Sequence, residues 1–348
     1  MIPRERVFEA MSHREADRVP LYLWVFRQPG ITQAIQEKHG SFEAFCDLLS
    51  LDACQTFPSK GLVASRPVNP DAVTIDTPYG RGTHGNDMTL EEALEVPFTD
   101  PDDGGIYTRI REEVAHHKGL KGRAIFLQTP GVFEASNGLI GLGANMEEML
   151  IRPDTVRRLY EKIARWNHRY IENAVEIGVD VIHVSDDWGM NGAMLFSPKT
   201  WWELVYPAEK ITTDFARKMG VPLSLHCDGY LMDVLDGVVD LGFSVLHPVQ
   251  ASAGMDQARV KREFGDRLTI YGGLDVRTTL GRGDADGVRA EVRRLMRELK
   301  PGGGFLFCTS HMVQPGTPLE EVEMAYRLAL EEGRYKKSRE TANGKRQT

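Results

Sequence analysis

From about residue 106 onward, short apolar segments alternate with amphipathic helical segments, and this alternation constrains the fold more than any other feature. The predicted strands are Ala124 to Leu127, Val179 to Val184, Leu223 to Leu225, Ser244 to Leu246, Leu268 to Tyr271 and Gly304 to Phe307. Apolar strands separated by helices predict a parallel sheet. At least six such units, with no Gly-x-Gly-x-x-Gly after any strand, favour a closed (β/α)8 TIM barrel of the α/β class over an open doubly wound sheet.

The helices predicted between these strands complete the alternation. They are Tyr107 to His117, Asp154 to Ile177, Pro198 to Met219, Tyr230 to Leu241, Met255 to Phe264, Gly287 to Leu299 and Leu319 to Glu332. The longest is expected to begin at the N-cap Asp154 and to end at Gly178.

The region before residue 106 predicts an extension of the barrel. Residues 3–13 have apolar positions on one helical face, and residues 57–105 are rich in Pro, Gly, Asp and Thr. We expect a short helix, then loops or a short hairpin over the barrel mouth. Residues 1–335 are expected to form a single domain, followed by a polar, disordered tail at residues 336–348.

Composition narrows the function. The 348 residues are 41% hydrophobic and 26% charged, and their formal net charge is -8, which argues against nucleic acid or an anionic membrane as the main partner. No apolar run approaches the roughly 20 residues that span a bilayer. The charged first residues lack a signal-peptide core, and four cysteines give no dense disulfide framework. These features predict a cytoplasmic, reduced protein.

Polar side chains cluster at or just after the carboxyl ends of the predicted strands, where barrel enzymes place their active sites. They are Asp186, Asp187, His226, Asp228, His247, Gln250, Asp275, Cys308 and His311. Structural alternatives remain open, because aspartates also cap turns and helices. Cys227 could be an ordinary buried cysteine, since strand alternation points it away from its neighbours.

Several segments resemble the uroporphyrinogen decarboxylase-like superfamily, which also contains corrinoid- and zinc-dependent methyltransferases. The resemblance rests on residues 3–20, 186–189, 226–229, 247–250, 272–275 and 311–318. It covers residues 3 to about 335 and implies a (β/α)8 barrel, with a homodimer as the family-level expectation.

The decarboxylase branch of that superfamily acts on a polycarboxylated tetrapyrrole without a cofactor and relies on arginines near its N-terminus. Arg27 matches the first arginine of its Arg-Gln-Ala-Gly-Arg pattern, but Ile31 stands at the second. Without the second guanidinium, the site lacks one bidentate contact to a substrate carboxylate. Cofactor-free decarboxylation is therefore the second hypothesis.

The methyltransferase branch matches the site clusters better. Its zinc members bind the metal through His-x-Cys after one strand and Cys after the last, and the matching positions here are His226, Asp228 and His311. Imidazole and carboxylate are both zinc ligands. Cys227 and Cys308 are the alternative ligands.

The resemblance implies a methyltransferase that moves a methyl group between a small methylated substrate, such as a methoxy compound, and a corrinoid protein. The corrinoid is expected on a partner, because this chain lacks an Asp-x-His-x-x-Gly pattern. In this hypothesis Asp186 or Asp187 orients substrate or donates a proton, Asp228 and His311 act as electrophile or metal ligands, and Asp275 holds His311 or a water. The candidate substrate contacts are Arg27, Trp188, Met190, His247 and Gln250, although Trp188 and Met190 could equally be core residues. The methyl donor is left open, and a non-catalytic ligand-binding homologue is a third hypothesis.

Overall fold

The computed structural model describes residues 1–24, 29–63, 73–77, 80–84 and 87–336, and for residues 29, 73–77 and 80–84 it describes the backbone alone. Two predictions therefore lie outside the described residues. These are the role of Arg27 and the disordered tail, apart from its first residue, Lys336.

Parallel strands form the wall of a barrel. Seven of them pair in the order β1 (Ala53–Thr56), β4 (Ala124–Pro130), β5 (Val181–Ser185), β8 (Leu223–His226), β9 (Val245–His247), β10 (Thr269–Leu274) and β11 (Phe305–Thr309). The extended segment that precedes β1 in the sequence closes the barrel between β11 and β1. Leu21 forms a parallel bridge with Phe307 of β11, and its carbonyl accepts the N–H of Asp52 at 2.8 Å, next to β1. This segment takes the eighth strand position, which confirms the predicted (β/α)8 barrel.

Two antiparallel pairs lie outside the barrel wall. They are β2 (Val73–Thr77) with β3 (Gly80–His84), and β6 (Gly189–Met190) with β7 (Ala193–Met194). The first pair is the short hairpin predicted between residues 57 and 105.

Helices pack around the barrel. They are α1 (Pro3–Met11), α2 (Pro29–His39), α3 (Phe42–Leu48), α4 (Leu90–Glu95), α5 (Thr108–Glu113), α6 (Val132–Ile140), α7 (Leu142–Ile151), α8 (Pro153–Ile177), α9 (Pro198–Thr200), α10 (Tyr206–Lys218), α11 (Leu235–Asp240), α12 (Gln257–Phe264), α13 (Ala285–Leu299) and α14 (Leu319–Glu332). No helix in the described ranges is long and apolar enough to cross a membrane.

All six predicted strands are present, but several helix predictions need correction. Asp154 is not the N-cap of α8, because the helix starts at Pro153 and the Asp154 carboxylate instead pairs with Arg157 at 2.6 Å. The helix predicted to start at Tyr230 begins with a short 3-10 turn and becomes α-helical only at Leu235. β1, α2, α3, α4, α6 and α7 were not predicted.

The barrel interior separates its two ends. Phe126, Tyr271 and Leu306 fill the interior, and α1 adds Val7 and Met11 to the same cluster from below. The Gly304 N–H bonds to Ala10 at the end of α1, which places this helix at the amino ends of the strands. The opposite end is open, and residues 57–63 lie there as part of the predicted extension.

Candidate active site

Two loops at the open end approach so closely that glycine is required where they meet. A Cβ on Gly229, whose φ is +89°, would lie 2.3 Å from the carbonyl carbon of Gly189. No other residue type fits such a contact without displacing one loop. The contact fixes Asp187, after β5, beside Asp228, after β8. The Asp228 N–H donates to Oδ1 of Asp187 at 2.7 Å.

His226, Asp228 and His311 form a group of possible metal ligands at this end. One donor atom from each lies within 4.8 Å of the others. Nε2 of His311 is 3.5 Å from Oδ2 of Asp228, and Nε2 of His226 is 3.8 Å from Oδ1 of Asp187. The structure therefore brings together the three residues that the resemblance assigned to zinc.

The charges and hydrogen bonds of this group favour a cation beside the carboxylate of Asp228. Burial, together with the nearby Asp187, raises the pKa of Asp228 to about 7. Its Oδ1 is buried and has no hydrogen-bond partner. Burial lowers the pKa of His311, although the Asp228 carboxylate opposes the shift, so that this imidazole stays neutral near pH 7. A bound cation would satisfy the unpaired oxygen and offset the crowding of negative charge.

A second group of histidines lies deeper in the barrel. His183, His226 and His247 are all buried, and one donor atom from each lies within 4.8 Å of the others. Nδ1 of His226 is 2.7 Å from Nδ1 of His247, and Nδ1 of His183 is 2.8 Å from the Ser224 hydroxyl. Burial holds the pKa of His183 and of His247 well below the usual histidine value, so both rings are neutral.

Trp24 packs among three of these histidines. Its ring centroid lies 4.8 Å from that of His226 and 5.1 Å from those of His247 and His311. A flat, apolar surface next to polar donors holds the rings in place and gives a substrate an aromatic wall.

A cavity of about 470 Å³ opens onto the group. It is lined by Trp24, Phe57, Arg109, Gln128, Glu134, Ser185, Asp187, His226, His311 and Met312. A second cavity of about 320 Å³ shares Gln128, Glu134 and Ser185 with the first and continues past apolar residues that include Leu62, Val63 and Leu139. The open end thus combines a polar pocket with an apolar annex, within the size range of small-molecule sites.

Glu134 stands between these two cavities. It is the third residue of α6, and its Oε2 accepts the Ser185 hydroxyl at 2.9 Å. Loss of hydration and the neighbouring Asp187 carboxylate raise the pKa of Glu134 to about 7, although His226 opposes the shift. A carboxyl group with such a pKa can give or accept a proton near neutral pH.

Asp186 and Asp187, adjacent in sequence, occupy different environments. Asp187 is partly exposed at the cavity. Asp186 is fully buried and accepts the Phe133 and Glu134 N–H groups at 3.2 and 2.6 Å, at the start of α6, as well as the Trp188 indole N–H. Its position is that of a helix cap, and burial, with the Glu209 carboxyl nearby, raises its pKa well above the usual value.

The other residues predicted for the site lie around the group of His226, Asp228 and His311 rather than in it. Asp275 accepts the Arg277, Thr278 and Ser252 N–H groups at 2.7, 2.9 and 3.0 Å. It therefore caps a turn, the structural role that the sequence left open for the aspartates. Gln250 is buried, and its Oε1 accepts the Gly229 N–H at 3.3 Å. Trp188 is fully buried against Trp201, whereas Met190 is 50% exposed on the β6–β7 hairpin.

The cysteines lie apart from both histidine groups. Sγ of Cys227 accepts the Trp188 N–H at 3.1 Å, and burial raises the pKa of this thiol well above its usual value. Cys308 belongs to the barrel interior, where burial raises its pKa to about 12. Among the described residues, no cysteine joins a group of possible metal ligands.

A third cluster lies near the amino ends of β1 and β4, away from the barrel mouth. Glu43, His116 and His117 bring donor atoms within 4.8 Å of one another. The Arg123 guanidinium lies among them, 2.9 Å from Glu43 and 3.0 Å from Nδ1 of His117. Lys121 adds a second positive charge 3.6 Å from Glu43. This cluster is an ion-pair network whose anion already has cationic partners.

Four contributors to the open end were missed in the sequence. Trp24 lies in the apolar segment of residues 21–26, and His183 lies inside a predicted strand. Gln128 directly follows the predicted strand end at Leu127, so the strand-end rule could have found it. Nothing in the sequence pointed to Glu134, because the helix that carries it, α6, was not predicted.

The fold and the open end of the barrel define the class of protein. It is a (β/α)8 barrel with titratable side chains clustered at the carboxyl ends of its strands. The family model described as Uroporphyrinogen decarboxylase (URO-D) matches residues 138–331, which is more than half of the chain. The chain therefore belongs to the uroporphyrinogen decarboxylase family.

One sequence relative and two solved structures illustrate what this chain is similar to. A uroporphyrinogen decarboxylase from Alkalilimnicola ehrlichii is 24% identical over 92% of this chain and 92% of its own length. A solved methyltransferase from Methanosarcina mazei superposes with a TM-score of 0.71 at 19% identity, covering 95% of this chain and 99% of its own. A B12-independent methionine synthase from Shewanella sp. W3-18-1 has a TM-score of 0.50 at 10% identity, covering 91% and 92%. These two structures share the fold.

Proposed function

We propose that this protein is a metal-dependent methyltransferase, which moves a methyl group between a small methylated substrate and the corrinoid of a partner protein. The observation that carries the proposal is the convergence of His226, Asp228 and His311, with donor atoms within 4.8 Å, beside a cavity of about 470 Å³. The unpaired, buried Oδ1 of Asp228 supports a cation at this point.

Zinc fits this donor set. Two imidazoles and one carboxylate leave a fourth position for substrate, as in catalytic zinc sites. His226, Asp228 and His311 would hold the ion. When bound, zinc would act as a Lewis acid that polarises the substrate heteroatom.

The other residues of the cavity then have defined tasks. As the bond between the methyl carbon and the heteroatom breaks, its electron pair stays on the heteroatom, which needs a proton. Glu134, with a pKa of about 7, holds a proton at the cavity wall and would donate it to this leaving group. Trp24 and Phe57 give the substrate aromatic walls, and the apolar annex excludes water from one side.

The experiment combines metal analysis with a transfer assay. Tag-free protein and its His226→Ala variant are analysed for metals, and then mixed with chemically reduced cob(I)alamin and a panel of methyl ethers, methylamines and methyl thioethers. We expect about one zinc per chain, lost in the variant, and methylcobalamin formation by the wild-type protein alone. Metal-free wild-type protein that methylates no acceptor would contradict the proposal. Cys227→Ser is the control that should keep its zinc.

A second candidate is decarboxylation of uroporphyrinogen, favoured by relatives with that name that align over 92% of this chain. The charges of the cavity oppose it. The Asp187 carboxylate lines the wall, and the guanidinium of Arg109, which also lines it, is already paired with Glu113 at 2.8 Å. An acidic substrate would meet net repulsion there. Carbon dioxide release from uroporphyrinogen, abolished by Arg27→Ala, would establish this activity instead.

A further inference from the structure

His226 belongs to both histidine groups at the open end, and a single imidazole cannot serve both in the same way. Its Nδ1 faces Nδ1 of His247 at 2.7 Å, and its Nε2 faces the side of Asp187. A neutral imidazole has one N–H donor and one acceptor nitrogen. The position of its proton therefore decides which side of the ring can bind a metal.

The contact with His247 decides that position when Nε2 of His226 binds a metal. His247 is 2% exposed, and its Nδ1 lies 2.7 Å from Nδ1 of His226. Because the lone pair of Nε2 is then used by the metal, the single proton of His226 lies on Nδ1 and points at His247. Nδ1 of His247 is the acceptor of this hydrogen bond.

We infer that His247 is a positioning residue, which holds the proton of His226 on Nδ1 and so leaves the lone pair of Nε2 free as the metal ligand toward Asp228 and His311. This inference rests on the metal site of the proposed function and names the residue that prepares it. An outer partner of this kind fixes the tautomer and orientation of a ligating histidine. Trp24, packed edge-on to His226 with an interplanar angle of 86°, keeps the ring from turning.

The same hydrogen bonds compete with a metal at the three deep histidines. A metal bound by His226 and His247 through their Nδ1 atoms would have to replace the 2.7 Å hydrogen bond between them. Nδ1 of His183 is also engaged, by the Ser224 hydroxyl at 2.8 Å. His247 thus supports the outer group through its hydrogen bond to His226, whereas His183 has its own partner in Ser224.

The first test reads the tautomer directly in metal-free protein. Histidine-selective 15N labelling, with His226 assigned by comparison with His226→Asn, shows which ring nitrogen carries hydrogen. We expect the proton of His226 on Nδ1. A proton on Nε2 in the wild-type protein would overturn the inference. This readout needs neither zinc nor substrate, so it separates the inference from the proposed function.

The second test measures zinc affinity by competition with a chromophoric chelator. His247→Phe removes the acceptor, and we expect zinc binding to weaken by about 10–100-fold. His247→Gln keeps an acceptor oxygen and should restore most of the affinity. His183→Gln is the matched control and should bind zinc as the wild type does. If His183→Gln weakens binding as much as His247→Phe, the deep group binds the metal and the inference is wrong.

Discussion

Oδ2 of Asp228 lies 3.5 Å from Nε2 of His311, which joins the loop after β8 to the loop after β11 across the open end of the barrel. The two side chains are 27% and 30% exposed, so they face the cavity while protein surrounds their other sides. Such a pair, with a third donor behind it in His226, can hold a cation that remains open to substrate.

Zinc binding should weaken as the pH falls below about 7. The pKa of Asp228 is about 7, so below this pH the ion must displace a proton from the carboxyl group. His311, whose pKa is lowered, competes less in this range. Affinity should fall by up to about tenfold per pH unit for this one proton. Chelator competition between about pH 6 and 8 measures how steeply the zinc affinity changes with pH. Asp228→Asn should bind zinc more weakly, and its affinity should change less with pH. An equal slope in both proteins would show that another group titrates.

Glu134→Gln should lower the rate of methyl transfer and leave zinc binding intact. Removing a general acid typically costs about 10²–10⁴-fold in rate. In the wild type the rate should decline as the pH rises above about 7, because Glu134 then loses the proton it donates. The variant should lack this decline. Exposed Glu147→Gln on α7 serves as the control. A pH profile that is unchanged in Glu134→Gln would remove this residue from the mechanism.

The sequence predicted the barrel and much of its mouth, because the two rest on local signals. Apolar strands and helical periodicity define the alternation, and a strand's end fixes on which face the next side chain lies. This is why the residues that follow the strands could be placed on one face from the sequence, whereas the choice of His226, Asp228 and His311 among them came from the family resemblance. The closing strand position, in the apolar segment of residues 21–26, and β1 were not assigned as strands because they are short and lack a strong alternating pattern.

The different environments of Asp186 and Asp187 could not be predicted, because they depend on a contact made far away in sequence. α6 begins against Asp186, and a Cβ on Gly131 would lie 2.2 Å from the Cβ of Asp186. Without α6, nothing in the residues 185–189 shows which carboxylate caps a helix and which faces the cavity. Glu134, on the same helix, was missed for the same reason.

Glu209→Gln should stabilise the protein above about pH 5. Burial raises the pKa of Glu209 to about 7, against a usual value of 4.5. Below about pH 4.5 the carboxyl is protonated in the folded and unfolded chains alike. As the pH rises toward 7 the unfolded chain ionises first, so the free energy of unfolding falls through this window.

Glutamine keeps the oxygen that accepts the Val132 N–H at 2.8 Å and carries no charge. The variant should therefore gain on the order of 1–3 kcal/mol near pH 7 and lose the part of this pH dependence that Glu209 contributes, while Glu134 and Asp228 keep theirs. Chemical denaturation at several pH values measures both effects, and the exposed Glu203→Gln should change neither. A destabilised Glu209→Gln protein at pH 7 would show that the charge is needed.

Gly229→Ala should separate the two loops that carry Asp187 and Asp228. Its φ is +89°, and the new Cβ would lie 2.3 Å from the Gly189 carbonyl carbon and 2.5 Å from the Met190 nitrogen. Gly192, with a φ of +76° and nothing within 4 Å of an added Cβ, is the matched control on the neighbouring hairpin. Both substitutions cost about 1–2 kcal/mol for the left-handed backbone, but only Gly229→Ala adds a collision. We therefore expect a larger loss of stability and weaker zinc binding in Gly229→Ala, while Gly192→Ala binds zinc normally. Equal zinc affinity in the two variants would mean that the metal site does not depend on the contact between these loops.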